Sequence, residues 1–258
     1  MCIAYLAIRT HPDWPLLIAA NRDEFHNRPT LSAAPWPGRP DIISGIDAQA
    51  GGTWLGMTRR GRYAFLTNYR DPGSFDPHAP SRGTLSSRYL MGDESPQDYA
   101  RAVQAEAASY NGFNLIIGDL EGACYVSNRS PQGQAVRLEQ GRHVVSNHLL
   151  NTPWPKAERL RQALGGTPGE NLWRTLDPLF EILRDRTQAS DDDLPATGLS
   201  LERERLLSSP FIISPDYGTR CSTVIAIHAG GQVFFSEISY SPDGTPMQRH
   251  DWPFELER

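Results

Sequence analysis

Cys2 is the residue of this sequence that is most directly suited to covalent chemistry. It follows the initiator methionine, whose removal is normal before a small residue, so the mature chain is expected to begin with an amine and a thiol on one residue. Their reference pKa values are about 8.5 for the thiol and about 7.7–8.0 for the amine. Moving the proton from the thiol to the amine therefore costs only roughly 1 kcal/mol. Cys2 could therefore be both nucleophile and base. The alternative is a small buried residue of an N-terminal strand.

Polar residues follow the apolar run at 15–20 in the segment AANRDEFHNRP. If the strand continues, Arg22 and Glu24 face one side and Asn21 and Asp23 face the other, because successive strand residues alternate. The cluster could then serve two surfaces. The alternative is a turn that contains a self-neutralising ion pair.

The same pattern occurs at other predicted strand ends. Asn68 and Arg70 follow the strand in FLTNYRD, Asn147 follows the one in HVVSNHLLN, and Arg220 lies directly before the strand in DYGTRCSTVIAI. An Asn amide and the planar Arg fork both donate hydrogen bonds to an oxyanion or a carboxylate. Ordinary capping of strands would use the same residue types.

Lysine chemistry has a single candidate in this chain. Of the 25 basic residues only Lys156 is a lysine, which composition bias explains well enough. It lies in the polar stretch TPWPKAERLRQ. We therefore expect the α-amine of Cys2, rather than Lys156, to act if the protein uses an amine as a base.

The overall composition limits the classes of function. A net charge of −5 and a pI near 5.8 exclude the basic surface of a nucleic-acid binder. No apolar run reaches the roughly 18 residues of a membrane span, and the N-terminus lacks the features of a signal peptide, so a cytoplasmic protein is expected. Three cysteines without CxxC spacing disfavour disulfides and structural zinc, and the seven histidines show no metal-ligand spacing. We expect no metal and no required cofactor.

Apolar periodicity and punctuation by Gly, Pro and Asn predict alternating blocks of strands and helices. The predicted strands are 2–8, 15–20, 41–46, 53–58, 62–67, 113–119, 123–128, 143–147, 222–228 and 232–239, the last two forming a hairpin around Gly230 and Gly231. The predicted helices start at Ser81 and at Ser95 and run through WPKAERLRQAL and NLWRTLDPLFEILRDRT, where Pro178 should break or kink the helix. The acidic segment SDDDLP is expected to be a solvated connection. This order indicates an α+β protein with two packed sheets and helices outside them, in one domain over 1–258.

The sequence resembles the NRDE family, also called the transport and Golgi organisation family. The resemblance rests on MCIAYLA, ANRDEF, GGTWLG, TNYRD, NGFNLIIGD, SNHLLNTPWPK and GTRCSTV, in this order up to about residue 225. It implies the N-terminal-nucleophile hydrolase fold, a four-layer αββα sandwich. Within that fold the chain is similar to the branch of bile-salt hydrolases and penicillin V acylases.

That resemblance implies roles for individual residues. Cys2 would be the nucleophile, Arg22 and Asp23 would hold its thiol and amine, Asn147 would donate to the oxyanion, and Arg220 would lie close to the sulfur. Two cationic neighbours predict a lowered pKa for the Cys2 thiol.

The chain departs from that branch in the spacing of its arginine and aspartate. Arg22 and Asp23 are adjacent here, whereas the branch separates them by two residues, and Glu24 is a rival for the carboxylate role. Asn68 is a weaker candidate for a second oxyanion donor, through its backbone N–H. The expected ligand-binding residues are Asn21, Glu24, Trp54, Asn68 and Arg70.

Two functions remain open from the sequence. The family is associated with haem mobilisation and acyl-CoA or lipid handling, so the pocket would hold haem or an acyl-CoA, with Arg22, Arg70 or Arg220 pairing with propionates or phosphates. Haem would be non-covalent because no CxxCH segment is present. The alternative is an N-terminal cysteine amidase that cleaves non-peptide C–N bonds. In either case the expected partner is a small molecule.

Overall fold

The structure, a computed structural model, describes residues 2–131, 133–166 and 175–257. The described strands are β1 (Cys2–Ile8), β2 (Leu16–Phe25), β3 (Thr30–Trp36), β4 (Arg39–Asp47), β5 (Leu55–Thr58), β6 (Tyr63–Asn68), β7 (Phe113–Gly118), β8 (Ala123–Ser127), β9 (Val136–Leu138), β10 (Gly141–Val145), β11 (Tyr217–Ile227), β12 (Gln232–Tyr240) and β13 (Pro246–Glu255). The described α-helices are α1 (Gly83–Met91), α2 (Pro96–Glu106), α3 (Pro155–Gly165), α4 (Asp177–Leu183) and α5 (Leu201–Leu206). None of these helices combines the length and the hydropathy needed to cross a membrane.

The chain divides into two compact units that are each assembled from separated segments. The first contains Met1–Asn27, Gln140–Ser146 and Asn151–Pro253, and the second contains Arg28–Glu139, Asn147–Leu150 and Phe254–Arg258. Each unit has one sheet with helices on it, so the α+β class expected from the sequence is confirmed. One sheet and one helical layer from each unit are the parts that an αββα sandwich requires. That the chain is one domain stays a prediction.

The first unit contains a six-stranded sheet in the order β10-β1-β2-β11-β12-β13. Ile3 and Tyr5 of β1 and Ala19 of β2 pack in one core with α3 and α4, so odd-numbered residues of β1 and β2 face the helices. Even-numbered residues, such as Leu6 and Ile18, face the opposite side and are equally buried. This alternation decides which side of the sheet each polar residue of β2 occupies.

The second unit contains a seven-stranded antiparallel sheet in the order β3-β4-β5-β6-β7-β8-β9. Helices α1 and α2 cover one face of it, and Leu85, Tyr89 and Val103 pack there against Leu115 and Ile117. Burial of this apolar face is the main stabilising contribution to the unit.

Some elements differ from the sequence-based expectation. Strand β2 continues to Phe25, so the polar segment after position 20 is strand and not a turn. Strand β11 begins at Tyr217, so Arg220 lies inside a strand and not before it. Strands β3, β9 and β13 and helix α5 were not predicted, because β9 and α5 are short and β3 and β13 contain proline.

Helix ends follow the local chemistry. Ser95 caps α2 as predicted, its hydroxyl accepting from the Asp98 N–H, with Pro96 in the first turn. Helix α1 begins at Gly83, with Arg82 and not Ser81 at its cap. Pro178 lies in the first turn of α4 and does not interrupt it, because a first-turn proline removes no helical hydrogen bond. The expected start of that helix, 171–174, lies outside the described residues.

The predicted hairpin between β11 and β12 is confirmed. The Gly231 N–H donates to the His228 carbonyl over 2.9 Å, and Gly231 has a φ of +95°, a conformation that glycine adopts without strain.

Candidate functional site

Cys2 stands directly opposite Arg22 in the antiparallel register of β1 and β2, and Arg22 stands opposite Cys221 of β11. These three residues share the face of the sheet that points away from α3 and α4, since their neighbour Ile3 packs with the helices. Arg22 is only 5% exposed, and Cys2 is partly buried. The register therefore holds a guanidinium between two thiols.

Burial is the largest influence on the Cys2 thiol, and it raises the pKa. The Asp23 carboxylate also raises this pKa, whereas the N-terminal amine, Arg22 and a hydrogen bond from the Asp23 backbone N–H lower it. The prediction of a lowered pKa is therefore wrong for this structure, in which the nitrogen of Cys2 is an amide. Desolvation of the thiolate outweighs the attraction of the N-terminal amine and of the Arg22 guanidinium.

Asp23 occupies the helix-covered face of β2 and is 1% exposed. Its Oδ1 accepts a hydrogen bond of 2.7 Å from the Thr219 hydroxyl. Burial raises the pKa of the carboxyl, while the N-terminal amine, Lys156, Thr219 and Arg22 lower it, in that order. Arg22 and Asp23 thus act on Cys2 from two sides of one strand, as the strand alternation predicted.

A β-bulge allows β11 to place Thr219 and Cys221 on opposite faces of the sheet. The register with β2 shifts between Thr219 and Cys221, so Thr219 stays opposite Asp23 while Cys221 stays opposite Arg22. Arg220 is the extra residue of the bulge, a place where strands re-aim a side chain. Its Nη1 donates to the Phe25 carbonyl over 2.9 Å.

Asn21 and Glu24 have different environments. The Asn21 Nδ2 donates to the carbonyls of Leu183 at 2.7 Å and Pro210 at 2.9 Å, and its Oδ1 accepts from Ser222. Both amide hydrogens are used, so Asn21 connects elements of the fold. Ligand binding by Asn21 stays a prediction. Glu24 lies 3.9 Å from Arg22, and Asp23 rather than Glu24 acts on the thiol of Cys2.

Lys156 was expected in a polar stretch, but it is 1% exposed. It is the second residue of α3, and its charge lowers the pKa of Asp23. The sequence contained one signal for this position: Lys156 precedes Leu160 by one helical repeat of four residues and so extends the apolar stripe.

The second unit brings together Asn68, Arg70 and Asn147. The Asn147 Nδ2 donates to the Asn68 carbonyl over 3.1 Å, and the Arg70 N–H donates to the Asn147 carbonyl over 2.7 Å. Asn147 and Arg70 are both buried. Donation by Asn147 or Asn68 to an oxyanion stays a prediction.

Buried hydrogen bonds fix the segment that follows Asn147. The Asn114 Nδ2 donates to the His148 carbonyl over 3.0 Å, and the Tyr125 hydroxyl donates to Asn114 Oδ1 over 2.7 Å. The same hydroxyl accepts from the Leu150 N–H over 3.1 Å. Strands β7 and β8 thereby position the backbone around Asn147.

Trp54 packs across the backbone of β4. A Cβ added at Gly45 would overlap the Trp54 ring, so only glycine fits beneath the indole. The Trp54 carbonyl accepts from the Leu66 N–H at 2.8 Å, which ties it to β6, two residues before Asn68.

A surface pocket of about 570 Å³ in the first unit was not predicted; we call it the Phe25 pocket. Its lining comes from the end of β2, from α5 and from two connections: Phe25, Gln188, Glu202, Arg203, Arg205, Leu206, Ser214, Pro215 and Asp216. These segments are far apart in the sequence, and none carries a motif. Spacing along the chain could not have found them.

The two arginines of the Phe25 pocket differ in their ion pairing. Arg205 forms a two-point ion pair with Asp191. Arg203 has no ion-pair partner among residues 2–131, 133–166 and 175–257. Within those ranges, no group of three or more His, Cys, Asp or Glu residues is arranged to hold a metal ion.

The family model described as "Transport and Golgi organisation 2" matches residues 1–242 of the chain. The chain belongs to the Transport and Golgi organisation 2 family. It is 37% identical to a "Transport and Golgi organization protein 2 homolog" of Bos taurus and 35% identical to a homolog of the same name of Homo sapiens, in both cases over 93% of each chain. The resemblance seen in the sequence is thus confirmed.

Two solved structures show a general likeness to this Transport and Golgi organisation 2 family member. A mutant conjugated bile acid hydrolase from Clostridium perfringens has a TM-score of 0.48 at 10% identity, covering 99% of this chain and 92% of the other. A Caenorhabditis elegans ortholog of N-acylethanolamine-hydrolyzing acid amidase has a TM-score of 0.47 at 14% identity, covering 87% and 92%. At such scores neither structure assigns a role to any residue here.

Proposed function

We propose that this protein binds an amphipathic anion of the haem or acyl-CoA class in the Phe25 pocket. The observation that carries the proposal is a cavity with an apolar wall that also contains an arginine without an ion-pair partner among the described residues. Its volume of about 570 Å³ falls in the range of roughly 300–1,000 Å³ that is usual for small-molecule sites.

The apolar wall supports an apolar ligand body. Phe25 keeps 48% of its surface exposed although it lies in a strand, and its ring is held by an edge-on contact with Tyr217 at 5.3 Å. Leu206 and Pro215 lie in the same lining. Covering such a surface stabilises a complex by roughly 25 cal/mol per Å² of apolar area.

The cations support an anionic group on the ligand. Arg203 lies in the pocket, and the half-buried Arg220 side chain is bonded to the Phe25 carbonyl at the pocket's edge. Arg22 and Arg70, the other arginines expected to pair with propionates or phosphates, are 5% and 8% exposed and much less accessible. Glu202 and Asp216 would repel the anion and so orient it towards Arg203.

The test is a titration of the wild-type protein with haem, followed by absorbance, and with a fluorescent acyl-CoA, followed by anisotropy. Arg203→Gln should weaken the preferred ligand by about 1.5–3 kcal/mol, or about 10- to 150-fold. Arg101→Gln, on the exposed face of α2, is the matched control. Binding of neither ligand, or equal binding by both variants, would contradict the proposal, and the two arms separate haem from acyl-CoA.

The second candidate is an N-terminal cysteine amidase, favoured by the contacts of Cys2 with Arg22 and with the Asp23 N–H. After removal of Met1, the α-amine would take the thiol proton, the sulfur would attack the amide carbonyl, and the leaving amine would receive that proton. Water would then hydrolyse the thioester, releasing a carboxylic acid and restoring the thiol.

This candidate is tested with Cys2→Ala and Cys2→Ser on a panel of acyl amides. Both variants should lose nearly all turnover and keep substrate affinity, because the sulfur makes the bond. Intact mass should show an acyl adduct on a mature chain that lacks Met1. A chain that retains Met1, or no turnover of any amide by the wild type, would contradict the amidase function.

A further inference from the structure

We infer that Lys156 is a positioning residue whose buried ammonium group holds Asp23 as a carboxylate next to Cys2. The inference rests on the amidase candidate for its functional meaning. Its test uses no substrate, so the inference and the candidate can fail separately.

Lys156 is buried although its side chain ends in an ammonium group. It is the only lysine of the chain and lies one and two helical repeats before Leu160 and Leu164, which form the buried stripe of α3. Its exposure of 1% applies to the whole residue, so the ammonium group does not reach bulk water. A buried ammonium group is strongly destabilising unless an anion compensates it.

Helix α3 runs along strand β10 in a defined direction. Beside the N-terminus of α3, the Asn151 N–H donates to the Val144 carbonyl over 2.8 Å, while Arg161, one turn before the helix ends, donates to the Arg142 carbonyl over 2.9 Å. Ala4 pairs with Val145 at the same end of β10. The first turn of α3 thus lies over the end of the sheet where β1 begins with Cys2.

The Asp23 carboxylate lies at the same end of the sheet. Cys2 pairs with Arg22, so Asp23 lies at that same end, and it points to the helix-covered face. Its side chain is 1% exposed and accepts a hydrogen bond from Thr219. A cation in the first turn of a helix is disfavoured by the helix dipole, so Lys156 gains nothing from its own helix. The buried Asp23 carboxyl, whose pKa Lys156 lowers, is the anion that we assign to it.

Other charged groups set the direction of the effect on Cys2. The N-terminal amine lowers the pKa of both Asp23 and the Cys2 thiol, and its effect on Asp23 exceeds that of Lys156. Arg22 also acts on both groups, and Tyr217 and Cys221 are the titratable neighbours on β11. Because the Asp23 carboxylate opposes ionisation of the thiol, a cation that balances Asp23 makes the thiolate easier to form. Loss of the Lys156 charge should therefore shift thiol reactivity to higher pH.

The single lysine permits a direct measurement on the unmodified protein. Incorporation of ¹³C,¹⁵N-lysine should give one side-chain NMR signal, with the shift of an ammonium group near neutral pH. The pH profile of this signal should contain a step from the carboxylate that is absent in Asp23→Asn. A neutral amine, or a profile unchanged in Asp23→Asn, would overturn the inference.

A second measurement follows alkylation of Cys2 against pH, with Cys124 and Cys221 resolved by peptide mapping. Lys156→Met should move the Cys2 profile to higher pH, and Lys156→Arg should restore it. In an Asp23→Asn background, Lys156→Met should have a much smaller effect, because the two charges act as a pair. Equal shifts in both backgrounds, or failure of Lys156→Arg to restore the profile, would contradict the pairing. If Lys156→Met does not fold, the lysine signal decides.

Discussion

Cys2 and Arg22 occupy directly opposed positions of β1 and β2 and face the same side of the sheet. Asp23, one residue further, faces the other side, yet its backbone N–H reaches the Cys2 thiol. The thiol of the partly buried Cys2 is therefore approached by a guanidinium and a peptide N–H. Since desolvation is the largest influence, the resting thiol is protonated near neutral pH.

Cys2 should react with iodoacetamide more slowly than free cysteine at about pH 7, because burial raises its pKa. Its rate should rise about tenfold per pH unit as the thiolate fraction grows. Cys221, whose pKa burial and Glu237 raise well above its usual value, should react more slowly still. Peptide mapping after timed alkylation measures both rates; a Cys2 rate independent of pH between about 7 and 9 would show a lowered pKa instead.

The stability of the protein should fall in alkaline solution. A thiol whose pKa is higher in the folded state keeps its proton there while the unfolded chain loses it, so the contribution is present below about pH 8.5 and is lost as the pH rises towards the folded pKa. Cys221→Ala should reduce this loss. Cys124→Ala, with a smaller rise of pKa, is the control. Urea unfolding across the pH range tests this, and identical slopes for wild type and Cys221→Ala would count against it.

Thr219→Val should lower the free energy of unfolding by about 1–3 kcal/mol, because it removes a hydroxyl that donates to the buried Asp23 carboxylate and accepts from the Ile212 N–H. Valine keeps the shape of the side chain, so packing changes little. Thr30→Val, whose hydroxyl makes only a long bond of 3.3 Å to the Arg28 carbonyl, is the control. Equal denaturation midpoints for the two variants would show that the Thr219 bond contributes nothing.

Tyr125→Phe should loosen the segment after Asn147, because the Tyr125 hydroxyl accepts from the Leu150 N–H and donates to Asn114. The Leu150 amide should exchange with deuterium faster than in the wild type. Tyr110→Phe is the control, since no described residue bonds that hydroxyl. Unchanged exchange at Leu150 would mean that other contacts fix the segment.

The sequence predicted most of this fold because its strands carry strong local signals. The run at 2–8 and the capped helix after Ser95 are apolar patterns with clear boundaries, and both lie where expected. The edge strand β13 was missed because it is mostly exposed and contains Pro253, which resembles a connection. Alternation along β2 correctly separated Arg22 from Asp23, since that rule depends only on backbone geometry.

The parts of the site that the sequence could not give depend on tertiary packing. Arg220 was placed before a strand because a bulge has no pattern of its own, and the burial of Lys156 is set by how α3 lies on β10 and not by its polar neighbours. The pKa of Cys2 was predicted in the wrong direction because desolvation cannot be read from charge alone. The Phe25 pocket joins distant segments.

The most direct measurement for the proposed ligand site is photo-crosslinking with an acyl-CoA and with a haem analogue that each carry a photoreactive group, followed by peptide mass spectrometry. Binding in the Phe25 pocket predicts labelled peptides that contain Phe25, residues 201–206 or residues 214–216, with labelling reduced by excess unlabelled ligand and by Arg203→Gln. Labelling confined to other peptides, or labelling that excess ligand does not reduce, would contradict it.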